Sequence, residues 1–220
     1  MVAFIGSGLD VAARQALGAW PEGSAIWIAL EDITGPGWRI DPADPAGSVL
    51  RAGGKTVRVS ELTGVVMTMD LVHAELLHTI VPEDRAYLAQ EIEALLTVLC
   101  AMVNGPVVNA PFRAGYQRRR LAEEWAAEAA RSGISCTHAS QEPATGQFIV
   151  RVHPEPAAMP CDEAQAMTTS LALASGTPFL CTTWRTGPDG PCLAHTSTHP
   201  FLHDPAHARA VRQVFTPATT

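Results

Sequence analysis

The most constraining feature of the sequence is a repeated alternation of short apolar runs, tight turns and helical patterns. It starts at once, because the apolar residues 2–5 lead into Gly6-Ser-Gly8. Apolar residues then recur at helical spacing: Leu9, Ala12, Ala13, Ala16 and Leu17. A strand that passes through a tight turn into a helix is the first part of a parallel β–α–β unit. The opening therefore predicts an α/β fold with a mostly parallel sheet.

Further elements follow the same alternation. Residues 25–30 form an almost continuous apolar run, which is typical of a strand covered on both faces. Residues 65–68 predict another strand, and residues 70–80 a short helix. Pro82-Glu83-Asp84 is a favourable helix start, and Asn104-Gly105 a favourable end, so a long helix is expected between them.

The last third of the chain is less regular. It predicts a strand at 147–152, a helix at 162–175, and paired strands at 179–185 and 192–195 around Gly187-Pro-Asp-Gly190. Asp204 and Pro205 predict the start of a final helix that runs to about Phe215. We expect two parts, an α/β domain over residues 1–140 and a small α+β portion over residues 141–220.

Composition excludes several classes of protein. The chain has 220 residues, of which 47% are hydrophobic and 17% charged, so wholesale disorder is excluded. The net charge of −7 argues against nucleic acid as the main partner, because phosphate binding needs a basic surface. No apolar run is long enough to span a membrane, and the first residues lack the basic start of a signal peptide. Five cysteines without CxxC spacing favour free thiols in the cytoplasm.

Common catalytic and nucleotide-binding motifs are missing. Gly6 and Gly8 are two of the three glycines of a dinucleotide fingerprint, but Val11 stands where the third is required, so a plain turn is favoured. The sequence contains no GxSxG, HExxH or P-loop motif. A standard hydrolase or kinase is therefore not expected.

The order of segments over residues 65–138 resembles a known family. A strand is followed by Asp84-Arg-Ala-Tyr-Leu-Ala-Gln-Glu91, a long apolar helix, Val108-Asn109-Ala-Pro111, a second helix and Gly133-Ile134. This order resembles the N-terminal, pre-ATP-grasp half of the ATP-grasp carboxylate–amine ligases, especially those that modify peptides in natural-product pathways. Residues 171–190 resemble a segment that closes the catalytic core of that family. The resemblance implies a pre-ATP-grasp-like, mostly parallel sheet flanked by helices, followed by a small α+β remnant of the ATP-grasp core.

Departures from the family pattern are as informative as the matches. The family holds ATP phosphates with lysines, whereas Lys55 is the only lysine here and lies in the first half. Arg151 could replace one cation, but arginine and lysine differ in geometry. The family holds magnesium with carboxylates and an Asn on its last strand, and the matching stretch here has His195 and Thr198 instead. Imidazole is a poor ligand for hard Mg²⁺. These departures from the family pattern predict a protein without ligase activity and without a bound cofactor.

Other residues suggest different chemistry. His195, His199, His203 and His207 recur every fourth residue, although Pro200 and Pro205 prevent one continuous helix. His195 and His199 on one strand would share a face, and together with Cys192 they could bind Zn²⁺ or Fe²⁺. His207, in the first turn of a helix, is expected at the surface.

An anion-binding site is the second possibility. Asn109 and Arg113 follow the strands of the predicted sheet at its switch region, where α/β folds keep ligand sites. Arg151 and Arg185 lie on later strands and could contribute to substrate binding. The basic stretch at residues 118–120 could instead be a solvated helix face that pairs with Glu123 and Glu124.

Three functional hypotheses remain open from the sequence. The first is a non-ligase accessory or substrate-binding subunit, acting as a homodimer or with an active ligase or a peptide. The helices over 88–102 and 121–130 would then offer a dimer face. The second is a repurposed enzyme that uses His195 and His199 as acid–base residues, with Arg113 and Arg185 beside them. The third is a weak ligase in which arginines and a partner chain hold ATP.

Overall fold

The structure is a computed structural model, and it describes residues 1–113, 117–118, 122–136, 147–152, 162–187 and 190–216. The chain divides into two compact units, Met1–Arg119 with Phe201–His203, and Arg120–Pro200 with Asp204–Thr220. Residue 140, where the sequence analysis divides the chain, lies outside the described residues.

The first unit is built on a parallel sheet of four strands, which are β1 Val2–Gly6, β2 Ala25–Ala29, β5 Gly64–Met67 and β6 Val107–Val108. Their order in the sheet is β2-β1-β5-β6. The two central strands, β1 and β5, are buried along their whole length, because they are apolar and have neighbours on both sides. Helices connect the strands, so the mixed α/β class predicted from the sequence is confirmed. The other strands of this unit are β3 Val49–Ala52, β4 Lys55–Arg58 and β7 Phe112–Arg113, which pairs with β8 Gln117–Arg118.

The helices of the first unit are α1 Val11–Leu17, α2 Leu30–Ile33 and α3 Pro82–Met102. Asp10 caps α1, its carboxylate accepting a hydrogen bond from the backbone N–H of Ala13 at 2.9 Å. α3 begins at Pro82, as its sequence predicts, and buries Ile92, Leu96 and Leu99 in the core of the unit.

Two expectations in this unit are wrong in detail. β2 is an edge strand and only Ile28 in it is fully buried, because nothing pairs with its outer side in the described sheet. Residues 70–80 do not form an α-helix, and a single 3-10 turn spans Ala74–Leu76. The backbone N–H of Val72 donates to Glu93 Oε1 of α3 at 2.9 Å, so a tertiary contact replaces the helical hydrogen-bond pattern there.

The second unit is an α+β structure, as the sequence predicts. Its antiparallel sheet contains β9 Gln147–Val152, β10 Leu180–Gly187 and β11 Gly190–Ser197, in the order β11-β10-β9. The helix α5, Asp162–Ser175, runs over the residues predicted. The final helix α6, Pro205–Val214, is capped by Asp204, which accepts from the N–H of Ala206 at 2.8 Å. This unit also contains the helix α4, Ala122–Arg131.

Side chains of the two faces of this sheet meet different helices. Trp184 of β10 lies opposite Leu193 of β11, and on one face of the sheet both pack in a core with Trp125 of α4 and Leu171 of α5. The opposite face carries Cys181, which lies near α6. The α6 face is the less apolar of the two, and it holds the residues that the sequence singles out.

Candidate functional site

The register of β10 and β11 determines which side chains share the α6 face. Arg185 lies opposite Cys192, Thr183 opposite His195, and Cys181 opposite Ser197. Directly opposed residues of an antiparallel pair point to the same side of the sheet. All these side chains therefore lie on one face.

A β-bulge makes this arrangement possible. The register shifts between Thr183 and Trp184, so that Ala194 is the extra residue on β11. Cys192 and His195 are three positions apart and would face opposite sides of a regular strand. The bulge returns them to one side, next to Arg185. No pattern in the sequence indicates this bulge.

The electrostatics of this cluster favour neutral thiols. Burial raises the pKa of the Cys192 thiol, and the nearby Arg185 guanidinium lowers it only in part. Burial also raises the pKa of Cys136, and the proximity of Cys192 adds to that rise. Cys136 is close because it forms a parallel bridge with Leu193. Both thiols are therefore protonated at neutral pH and are weak nucleophiles.

The other end of the same face is closed by α6. His207 is buried, at 3% exposure, and its Nε2 lies 3.7 Å from the Sγ of Cys181. Its ring is tilted against Phe179, with centroids 5.6 Å apart. The expectation of a surface His207 is therefore wrong. The sequence carried a usable signal, since His207, Ala210 and Val211 lie on one helical face, and all three are buried.

His199 is not part of this cluster of strand residues. β11 ends at Ser197, and the backbone N–H of His199 donates to Ser197 Oγ at 3.1 Å. The expectation that His195 and His199 share a strand face is wrong because the strand ends between them. Within the described part of the chain, no three His, Cys, Asp or Glu side chains are grouped so that they could hold a metal ion.

Asn109 lies at the carboxyl end of the parallel sheet, in the first unit. Its Nδ2 donates to the carbonyls of Met67 and Met69, both at 3.2 Å, and to Asp70 Oδ1 at 3.4 Å. Its backbone φ is +55°, a left-handed conformation that asparagine tolerates better than most residues. The amide thus joins the end of β6 to the end of β5, and these contacts give it a structural role.

The predicted arginines are spread over both units. Arg113 lies on β7 of the first unit, and Arg151 on β9 of the second, where its backbone pairs with Cys181. Of the predicted arginines, only Arg185 has a described side chain, and it is the one that lies beside Cys192. In the basic stretch, residues 119 and 120 lie outside the described residues.

Lys55, the single lysine, lies on the surface of the first unit. It begins β4, directly after the turn at Gly53 and Gly54, and its side chain is exposed. Both glycines have positive φ, 54° and 80°, which this tight hairpin requires. The single lysine of the chain is therefore on a surface hairpin of the first unit.

Comparison with known proteins identifies the fold. No protein-family model matches the sequence, and no curated protein matches it significantly. The structure is similar to that of the ATP-grasp ligase PsnB complexed with minimal precursor, Mg and ADP, with a TM-score of 0.67 at 10% sequence identity over 98% of this chain and 98% of that chain.

Two macrocyclases from Microcystis aeruginosa MRC are similar as well. MdnC, bound with precursor peptide MdnA, gives a TM-score of 0.64 at 9% identity over 98% of this chain and 100% of that chain. MdnB gives 0.59 at 9% identity over 98% and 100%. At such identities the similarity establishes the fold alone, and the chain has an ATP-grasp-like fold. Among the helices described, none is both long and apolar enough to cross a membrane.

Proposed function

We propose that the chain is a non-ligase accessory or substrate-binding subunit in peptide or amino-acid natural-product biosynthesis. The fold supports this role, because the similar structures include an ATP-grasp ligase with its minimal precursor and a macrocyclase with its precursor peptide. The proposal includes a cytoplasmic location, consistent with free thiols at all four described cysteines, and a homodimer or a complex with an active ligase.

The composition of the β10–β11 hairpin carries the proposal. Leu180–Gly187 and Gly190–Ser197 contain no Asp, Glu, Asn, Gln or Lys. Their polar residues are Thr, Ser, His195 and Arg185, together with the thiols of Cys181 and Cys192. Mg²⁺ requires oxygen ligands, with carboxylates preferred, so these strands are poorly suited to hold a metal–nucleotide complex. The single lysine of the chain, Lys55, is not on these strands but on the exposed hairpin of the first unit.

Binding of magnesium and ATP tests the loss of ligase function. The purified chain is mixed with millimolar MgATP and examined by native mass spectrometry and thermal unfolding, with PsnB as the positive control. We expect no nucleotide adduct and no rise in melting temperature, because a ligand that binds the folded state stabilises it by mass action. A stoichiometric adenine nucleotide adduct, or steady release of ADP, would overturn the proposal.

A second candidate function rests on the shared face of Arg185, Cys192 and His195. A guanidinium and an exposed imidazole on one face could bind an anionic group and transfer a proton near neutral pH. In that function His195 is the catalytic residue and Arg185 binds the anionic group, whereas His199 lies beyond the end of β11. If the chain converts a peptide by itself, His195→Ala should abolish the conversion at unchanged melting temperature. Unchanged conversion in both His195→Ala and His199→Ala would exclude it.

A further inference from the structure

One face of α3 is exposed along almost the whole helix. Tyr87, Ala94, Val98 and Ala101 lie on a single stripe, because their spacings of seven, four and three residues keep them within a narrow angle on the helix. Tyr87 is 65% exposed and Val98 is 37% exposed, whereas Leu88 and Leu95, about a quarter turn away around the helix, are partly buried and pack against the core. The apolar residues of 88–102 that suggest a dimer face are therefore mostly used in the core.

The C-terminal half of this exposed stripe carries no charge. From Ala94 to Met102 the sequence is Ala-Leu-Leu-Thr-Val-Leu-Cys-Ala-Met. A helix at the surface of a globular protein normally carries polar residues on its outer side, and a helix that is apolar all round is normally covered. This half of α3 has the composition of a covered helix although its outer side is exposed.

The N-terminal half of the stripe is acidic. Glu83, Asp84 and Glu91 lie three or four residues from Tyr87 and so surround its ring on the helix surface. In the described parts of the chain, no side chain forms an ion pair with these carboxylates. Arg85, the only cation between residues 59 and 112, donates instead to the carbonyls of Ile80, at 2.8 Å, and His78, at 3.4 Å.

We propose that this face of α3 binds a cationic amphipathic helix of a partner peptide, an inference that rests on the proposed peptide-binding role. Apolar residues of the partner pack on Ala94, Val98 and Ala101. An arginine or lysine lies over the Tyr87 ring between the carboxylates, where a cation gains both ion pairing and contact with the aromatic face.

Charge decides against a second copy of this chain as the occupant. A copy of α3 would bring Glu83, Asp84 and Glu91 again and no exposed cation. In a parallel pair the two acidic halves would repel each other, and in an antiparallel pair they would meet an uncharged half. Neither orientation neutralises the carboxylates. A basic partner does, and its binding should weaken as salt screens the charges.

The test measures binding of a designed peptide to the full chain by fluorescence anisotropy. The probe is a labelled helical peptide of 21 residues, the length of α3, with leucines on one stripe and arginines beside it in one half. We expect saturable binding that weakens about tenfold in the triple variant Glu83→Gln/Asp84→Asn/Glu91→Gln and about tenfold in Tyr87→Ala. Tyr87→Phe keeps the ring and should bind as the parent does.

A matched control separates this surface from general attraction to an acidic protein. The variant Glu22→Gln/Glu123→Gln/Glu163→Gln removes the same charge from exposed positions elsewhere, and it should lose less than twofold. Equal losses in the two triple variants, equal binding of a peptide with glutamates in place of arginines, or no saturable binding would each overturn the proposal. So would a concentration-dependent dimer, measured by light scattering, that Tyr87→Ala abolishes.

Failure of this surface can be distinguished from failure of the proposed function. A chain that hydrolyses ATP but still binds the basic peptide through α3 would refute the accessory role and leave the surface intact. A chain without nucleotide binding that also lacks α3-dependent peptide binding would refute this surface alone.

Discussion

The two sheets of this protein differ in the polarity of the side chains that they bury. In the parallel sheet, β1 and β5 bury only apolar side chains and the backbone. In the antiparallel sheet, the interior contains the hydroxyls of Thr168 and Thr182 and the indole N–H of Trp184, all at 0% exposure. The indole Nε1 donates to Thr182 Oγ1 at 2.8 Å and to Thr168 Oγ1 at 3.1 Å.

This difference determines which contacts specify each sheet. Continuous apolar runs fit a parallel sheet whose two faces are covered, and they are not sensitive to the exact neighbour. A buried polar network stabilises only when every member is paired, so it depends on one register. The first unit should therefore respond mainly to lost volume, and the second to lost hydrogen bonds.

The largest expected effect is in the apolar core of the first unit. Leu96→Ala removes a side chain at 0% exposure and should lower the free energy of unfolding by about 3 kcal/mol, because a cavity remains. Leu173→Ala on α5, where the leucine is 78% exposed, is the control and should change it by less than about 0.5 kcal/mol. Urea unfolding measures both. Equal effects would show that burial does not decide stability in these helices.

The polar network of the second unit should show coupling. Thr182→Val removes one acceptor of the Trp184 indole and should cost about 1 kcal/mol, while Thr182→Ser should cost less. The double variant Thr168→Val/Thr182→Val leaves the buried N–H without an acceptor in this network and should cost more than the two single changes together. If the double variant lost only the sum of the two single losses in unfolding free energy, the second sheet would not depend on a coupled hydrogen-bond network, and the proposed difference between the sheets would be wrong.

Asn109 tests whether the first unit also depends on a polar group. Asn109→Ala removes hydrogen bonds to Met67 and Met69 and places alanine at φ +55°, so it should cost about 1–2 kcal/mol. Asn109→Gly should cost less, because glycine adopts this conformation freely. If Asn109→Ala were as stable as the parent but bound substrate poorly, a ligand-binding role would replace the structural one.

At neutral pH the smallest expected effect is that of the Cys100 thiol, and it grows only in alkaline solution. Burial raises the pKa of the Cys100 thiol from 9.0 to about 12, so the unfolded chain loses this proton first as the pH rises. Stability should therefore fall above about pH 9 by up to about 1.4 kcal/mol per pH unit, until the folded thiol itself ionises. Cys100→Ala should flatten this part of the profile, measured by urea unfolding from pH 8 to pH 10.5. An unchanged slope would contradict a buried, protonated thiol.

Local patterns predicted the helices well. α5 occupies the predicted residues and α3 starts at Pro82, because capping residues and apolar spacing act within a few residues of each other. The same patterns failed at residues 70–80, where Glu93 of α3 accepts from the Val72 backbone, and at His207, whose burial depends on the sheet beneath α6. Both failures come from contacts between residues distant in the sequence.

The candidate site was less predictable than the fold. The sequence grouped Cys192 with His195 as possible metal ligands and Arg185 with His195 in a possible enzyme site, and the bulge at Ala194 places all three side chains on one face. It also suggested that His195 and His199 belong together, which the end of β11 prevents. A one-residue change of register reverses the face of a side chain, and hydrophobic spacing along one strand does not record such a change.

By itself the sequence determined the α/β class, the ATP-grasp-like order of elements, the single lysine and the absence of acids in the last two strands. Those properties are local or compositional, so they need no knowledge of neighbours in space. Only the tertiary structure decided that Asn109 bridges β5 and β6 and that His207 is buried against Cys181. Each of these depends on which distant segment packs beside it. Local residue patterns do not predict the free energy of packing between segments that are far apart in the sequence.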